Sequence, residues 1–212
     1  MVLILSIKIK GYKMLKNFNK YFSLFLILVY LSGCASAIVG GAATIGLASV
    51  QERTIKNAAI DLKLGIQIQE SLFRASSEKL FAQVDVIVLE QRVLLIGNVE
   101  SQELRDQATK ITWEISPKVS EVLNEITIGK KQNLVGEAKD ARISLSLSGL
   151  LIGDTKISDI NFSHSVSKQV IFLIGIAQNN DELDKVIHHA RTIKGVKKVI
   201  SHIILKTDKK RL

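Results

Sequence analysis

Cysteine, proline and tryptophan each occur once in the 212 residues, and aromatic residues make up only 5%. One cysteine excludes an internal disulfide framework and any zinc site built from several thiolates. The single proline, Pro117, stops one helix, and the single tryptophan, Trp113, reads as a core residue. There are four histidines, His164, His188, His189 and His202, none in His-Glu-x-x-His spacing. Adjacent His188 and His189 point to different faces of a helix, so no metal site is expected. No Gly-x-Ser-x-Gly turn and no Gly-Lys-Ser/Thr phosphate loop occurs. The Asp181-Glu182 pair falls at a helix start, where the helix dipole accounts for it. No catalytic residue and no cofactor is therefore expected, and the chain does not read as an enzyme. Acids are the scarcer charge, 20 against 29 Lys and Arg, and 47% of residues are hydrophobic, too many for a disordered chain.

What is present begins with a leader. Lys16 and Lys20 precede an apolar run of 11 residues, 21–31, well short of the roughly 20 needed to span a bilayer. The run ends in Leu31-Ser32-Gly33-Cys34, which resembles the lipobox of bacterial lipoproteins. The resemblance implies cleavage before Cys34 and acyl chains on that cysteine. Residues 1–33 then form a signal peptide whose true start is expected at Met14. Residues 34–53, rich in Ala and Gly, read as a flexible tether. Ala35 and Ser36 lack the aspartate that retains enterobacterial lipoproteins in the inner membrane, so the outer membrane is the expected destination.

The remainder repeats itself. Asp61-Leu-Lys-Leu is echoed by Asp140-Ala-Arg-Ile, Val93-Leu-Leu-Ile-Gly97 by Ile171-Phe-Leu-Ile-Gly175, and Val119-x-x-Val122 by Val196-x-x-Val199. The offset stays between 77 and 79 residues, which divides the chain into copies at 54–129 and 130–212. In the first copy Ile60, Leu64, Ile68 and Leu72 form a helical stripe, although Leu62/Leu64/Ile66/Ile68 also alternate as a strand would. Strands at 84–89 and 92–99 read as a hairpin turning at Glu90-Gln91. A helix follows from its N-cap Ser101 to Glu114, then a strand at 119–128. The second copy reads as a helix at 138–151, strands at 160–165 and 169–177, a helix at 180–192 and a strand at 196–206. The fold class is α+β: two tandem αββαβ units, each a three-stranded sheet with two helices packed on it.

Val93, Leu95, Gly97, Val99, Val119 and Val122, with Ile171, Leu173, Gly175, Gly195, Val196 and Val199, resemble the pattern of the BON domain family. With the lipobox, they resemble its dual-domain lipoproteins of the bacterial outer membrane. Departures are Pro117-Lys118-Val119 in place of Gly-Val, Ala177 in place of valine, and Ser201-His202. Gly97 and Gly175 are expected to end or bulge a strand, with no catalytic part.

The net charge of +9 is unevenly spread. Residues 1–33 hold five lysines and no acid, the first copy 8 bases and 11 acids, and the second 15 bases and 8 acids. In the second copy Lys130, Lys131, Lys139 and Arg142 surround the first helix. Lys194, Lys197 and Lys198 flank the last strand, and Lys206, Lys209, Lys210 and Arg211 close the chain. Cations near an anionic leaflet contribute about 1 kcal/mol each. Ile143 and Leu147, with Leu145, Leu150 and Leu151, either insert into the bilayer or belong to the core. The resemblance favours a periplasm-facing, lipid-anchored protein that binds anionic phospholipid and maintains outer-membrane integrity. The alternative is a docking module for an envelope protein complex. Nucleic acid is not an expected partner of an exported protein.

Overall fold

A computed structural model describes residues 54–209 and 211. The expected signal segment, Cys34 and the tether lie outside them. The first repeat comprises α1 (Ile55–Ala75), β1 (Val84–Leu89), β2 (Arg92–Val99), α2 (Gln102–Glu114) and β3 (Glu121–Ile128). The second comprises α3 (Leu134–Gly153), β4 (Phe162–Ser167), β5 (Val170–Ala177), α4 (Asn180–Thr192) and β6 (Lys198–Leu205). Each sheet is three-stranded, with its first two strands antiparallel and its last two parallel across the α2 or α4 crossover.

The helix–strand ambiguity in the first segment resolves as a helix. Leu64, Ile68 and Leu72 are buried on one face of α1, whereas Leu62 and Ile66, which a strand would have placed beside them, are exposed. Thr54 starts this helix by accepting a hydrogen bond from Asn57 N at 3.1 Å, and Ser101 caps α2 through Leu104 N at 3.4 Å. In each repeat the two helices close an apolar core on one sheet face, with Leu72 and Leu95 in the first core and Leu147 and Leu173 in the second.

Gly97 and Gly175 lie within strands and neither ends them. They pair with Val84 and Phe162, the first residues of the edge strands. A Cβ at Gly97 would overlap the Gln83 carbonyl oxygen, and one at Gly175 would overlap the Phe162 ring. The edge strand crosses too close for any side chain at these points. Trp113, expected in the core, is instead 49% exposed on α2, because it lies on the side of that helix away from buried Ala108 and Thr112.

The hairpin turns explain the repeated aspartate. Glu90 and Gln91 adopt φ of 47° and 61°, and Lys168 and Gln169 φ of 53° and 66°. These left-handed conformations cost non-glycine residues about 1–2 kcal/mol each. Asp61 holds the first turn by accepting from Glu90 N and Gln91 N, both at 2.8 Å. Asp140 holds the second by accepting from Lys168 N and Gln169 N, also both at 2.8 Å. Each helix thus clamps the hairpin of its own sheet through a buried carboxylate.

The two sheets pack back to back. Leu89, Leu94, Ile96, Phe172, Ile174 and Ile176 form a third apolar cluster between them. The result is four layers, helices, sheet, sheet, helices, with β2 and β5 covered on both faces. Polar groups close the rim of this interface. Arg211 Nη2 lies 2.8 Å from Glu90 Oε1, His202 Nε2 lies 2.9 Å from Glu125 Oε1, and Ser165 donates to Asp85 at 2.7 Å. Lys168 Nζ donates to Asn98 Oδ1. The acidic first repeat and basic second repeat therefore spend part of their opposite charge on each other.

Candidate lipid-binding face

Helix α3 is apolar on two sides. Asn133 caps it by accepting from Gly136 N at 2.9 Å. Its inner face carries Asp140, Ile143, Leu147 and Leu151, all buried. Ile143 and Leu147, expected as lipid contacts, are thereby corrected to core residues, because they project from α3 into the second repeat's sheet. The outer face carries Leu134, Leu145 and Ile152, which are 81%, 74% and 70% exposed, with Val135 and Leu150 beside them. Leu134, Ala138, Ala141, Leu145, Ser148 and Ile152 recur at alternating intervals of four and three residues, so they share one outward stripe. Sequence reasoning passed over Leu134, Val135 and Ile152, since their periodicity merges with that of the inner face. The signal available was the absence of any charge from Ile143 to Gly153, where an ordinary half-buried helix would carry some on its outer side.

The expected basic residues are placed around this helix. Lys139 and Arg142 are exposed on α3 itself, and Lys130 and Lys131 are exposed just before it. Arg142 Nη2 donates to the Lys194 carbonyl at 3.0 Å, across 52 residues of sequence. That bond brings Lys194 and Lys197 of the loop, with Lys198 at the start of β6, all exposed, to the side of the helix. Gly195 has φ of 98°, and a Cβ there would press on the Arg142 guanidinium at 3.3 Å. Its left-handed backbone lets the loop meet the arginine. Arg211, one of the basic residues that close the chain, pairs with Glu90 across the sheet interface.

The far end of α3 is pinned. Asp154, its C-cap, accepts from His189 Nε2 at 2.9 Å and from Lys156 N at 3.0 Å. The His189 hydrogen bond first, and the Lys156 amide second, hold the Asp154 carboxyl below its ordinary value of 3.8. Glu182, taken as a dipole residue, is buried and accepts from Ser158 N and Gln178 N, each at 2.7 Å. These contacts fix α3 against α4 and the loop that follows α3.

Beside α3 the two repeats border an open polar cleft of about 330 Å³ lined by Gln83, Asp85, Asn98, Lys131 and His164. His164 Nε2 lies 3.1 Å from Ser144 Oγ and 3.2 Å from the Ser144 carbonyl oxygen. A nitrogen that donates its proton to that carbonyl is not a base for the hydroxyl, so the pair has the geometry of a structural tie. Burial pushes the His164 imidazole below its usual 6.5, partly offset by that carbonyl. Among the described residues no group of three His, Cys, Asp or Glu side chains is placed to hold a metal, and no helix is long and apolar enough to cross a membrane.

Comparison with known proteins is consistent with this geometry. The profile of the BON domain matches residues 67–130 and 139–207. An uncharacterized protein in the gshII 5' region of Anaplasma centrale is 37% identical over 152 residues, covering 71% of this chain and 98% of that protein. The outer membrane lipoprotein DolP of Haemophilus influenzae is 26% identical over 172 residues, covering 81% of this chain and 88% of that one. Among solved structures, CdsD, a structural protein of the type III secretion system of Chlamydia trachomatis, aligns at 15% identity with a TM-score of 0.28. That alignment covers 68% of this chain and 63% of that structure, and a score so low carries no functional argument.

Proposed function

The chain belongs to the BON domain family, with two copies in tandem, and on that premise we propose that it is a non-catalytic, lipid-anchored protein of the bacterial outer membrane, facing the periplasm, whose second repeat binds anionic phospholipid and so supports membrane integrity. One observation carries the reading: the outward stripe of Leu134, Leu145 and Ile152 on α3, open to solvent and flanked on one side by Arg142 and the Lys194 loop, with one acid, Glu137, on the other. An apolar helix face bordered by cations is the arrangement that seats in the boundary between head groups and acyl chains. The likeness to an outer membrane lipoprotein supports the envelope location.

The mechanism is attachment at two points. Acyl chains at Cys34 bring the body to the leaflet, and α3 then meets a high effective concentration of head groups. Four or five engaged cations at about 1 kcal/mol each, with partial burial of three large apolar side chains, suffice for a stable contact.

Among the described residues, every side chain of the three cores lies between residues 60 and 205. A fragment of residues 54–212 therefore carries its own core and serves for a vesicle test. Its binding is expected to rise with phosphatidylglycerol content and to fall with salt. Binding indifferent to both would overturn the reading, and would favour protein docking through exposed groups such as Trp113. Mass spectrometry of the mature N-terminus tests the anchor: an acylated Cys34 is expected, and an unmodified one refutes it.

A further inference from the structure

Helix α1 carries the same outward stripe as α3. Ile55, Ile66 and Phe73 stand 79 positions before Leu134, Leu145 and Ile152, and they are 70%, 56% and 54% exposed. Leu62, equally exposed, completes the stripe where α3 has Ala141. Past the helix end Phe81 meets Phe73 edge to face, with centroids 5.4 Å apart and planes at 88°, and both rings remain about half exposed. None of these groups serves the first repeat's core, which is filled from the other side of α1 by Leu64, Ile68 and Leu72.

The charges beside the stripe are mainly cationic, although the repeat as a whole is acidic. Lys56, Lys63 and Lys79 are exposed, against one exposed acid past the helix end, Glu78. The two acids of the helix are already engaged: Asp61 is buried in the hairpin clamp, and Glu70 pairs with Arg74 at 2.6 Å. Because the sheets pack back to back, α1 and α3 lie on opposite outer layers of the body. A single flat bilayer cannot cover both.

We propose that the outward face of α1 is a second surface for anionic lipid, so that the two-repeat body can hold two bilayers at once, one against α1 and one against α3. The inference rests on the lipid reading of α3 only for the bridging; the α1 face stands on its own residues. A bilayer fits this face better than a second copy of the chain. A symmetric contact centred on Leu62 and Ile66 would set Lys63 beside its own mate, whereas phosphate head groups neutralise Lys56, Lys63 and Lys79 together.

The test uses the 54–212 fragment with two differently labelled populations of phosphatidylglycerol-containing vesicles, measuring co-sedimentation and vesicle clustering side by side. The wild-type fragment is expected to cluster vesicles. The Leu62→Ser/Ile66→Ser variant is expected to co-sediment through α3 but to lose clustering about tenfold. Lys56→Glu/Lys63→Glu should weaken clustering with the apolar stripe intact, and thermal melts of each variant report the fold. A Leu62→Ser/Ile66→Ser variant that binds and clusters vesicles as well as wild type overturns the proposal, and a wild-type fragment that binds but never clusters them overturns the bridging. The reciprocal variant, Leu145→Ser/Ile152→Ser, separates the two readings. If it binds vesicles as wild type does while the α1 variant loses binding, the α3 reading fails and the α1 face stands. If it abolishes all binding, the α1 face falls and the α3 reading stands.

Discussion

Asp61 and Asp140 are visible in the sequence as an echo, but their task is not. Each supplies two oxygens to two consecutive amides of a turn twenty-eight to thirty residues away, a pairing that exists only once the helix lies on the sheet. Asp140→Ala removes both acceptors and leaves the strained turn to Lys168 and Gln169 alone. Hydrogen bonds to a charged group are worth about 1.5–3 kcal/mol each, so a loss of about 3–6 kcal/mol is expected in chemical denaturation, and Asp140→Asn, which keeps one acceptor and turns an amide donor toward the other N–H, should recover only part of it. His164 sets a pH dependence of opposite origin. Its folded-state pKa is lowered by burial, so its contribution to stability is complete above about pH 6.5 and is lost as the pH falls through the folded value. Denaturation of the 54–212 fragment should show stability falling as the pH drops below about 6.5, with a shallower slope in His164→Gln.

At the scale of elements, most of the chain was legible. The period of four in α1, the apolar runs of β2 and β5, and the Ser101 cap each follow from local geometry, and the structure has them where expected, with α3 starting four residues earlier and ending two later. What periodicity did not reveal was the division of labour within α3. Ile143, Leu145, Leu147 and Leu150 are chemically alike, and only the sheet beneath decides which are inside. The corresponding variants should behave oppositely. Ile143→Ser/Leu147→Ser removes two fully buried side chains and should cost about 2–5 kcal/mol at each site, seen as an unfolded second repeat. Leu145→Ser/Ile152→Ser should leave the melting temperature nearly unchanged and weaken vesicle binding to what the α1 face supplies alone. Equal loss of stability in both variants would contradict the assignment of faces.

For the whole molecule, the decisive contact is sheet on sheet. Each repeat is of a size that folds alone, yet the interface cluster around Ile174 and Ile96 is fully buried and rimmed by pairs that cross between repeats. The described body should therefore unfold in one transition rather than two, as judged by agreement of calorimetric and van't Hoff enthalpies. Ile174→Asp places a charge in that seam and should split the transition, whereas Arg211→Ala, removing only a rim pair with Glu90, should lower stability without splitting it.

The amino-acid sequence by itself determined the two repeats, the αββαβ order and the acidic and basic halves, because these depend on short-range periodicity and on composition. The lone cysteine and the short apolar run before it are likewise matters of sequence. Only the tertiary structure decided that the repeats share one double-sheet core, that Ile143 and Leu147 face inward, that Arg211 and His202 serve the interface, and that α1 and α3 present matching apolar stripes on opposite layers. A stripe of leucines states how apolar a helix is; which side meets protein and which meets solvent is settled by what packs against it.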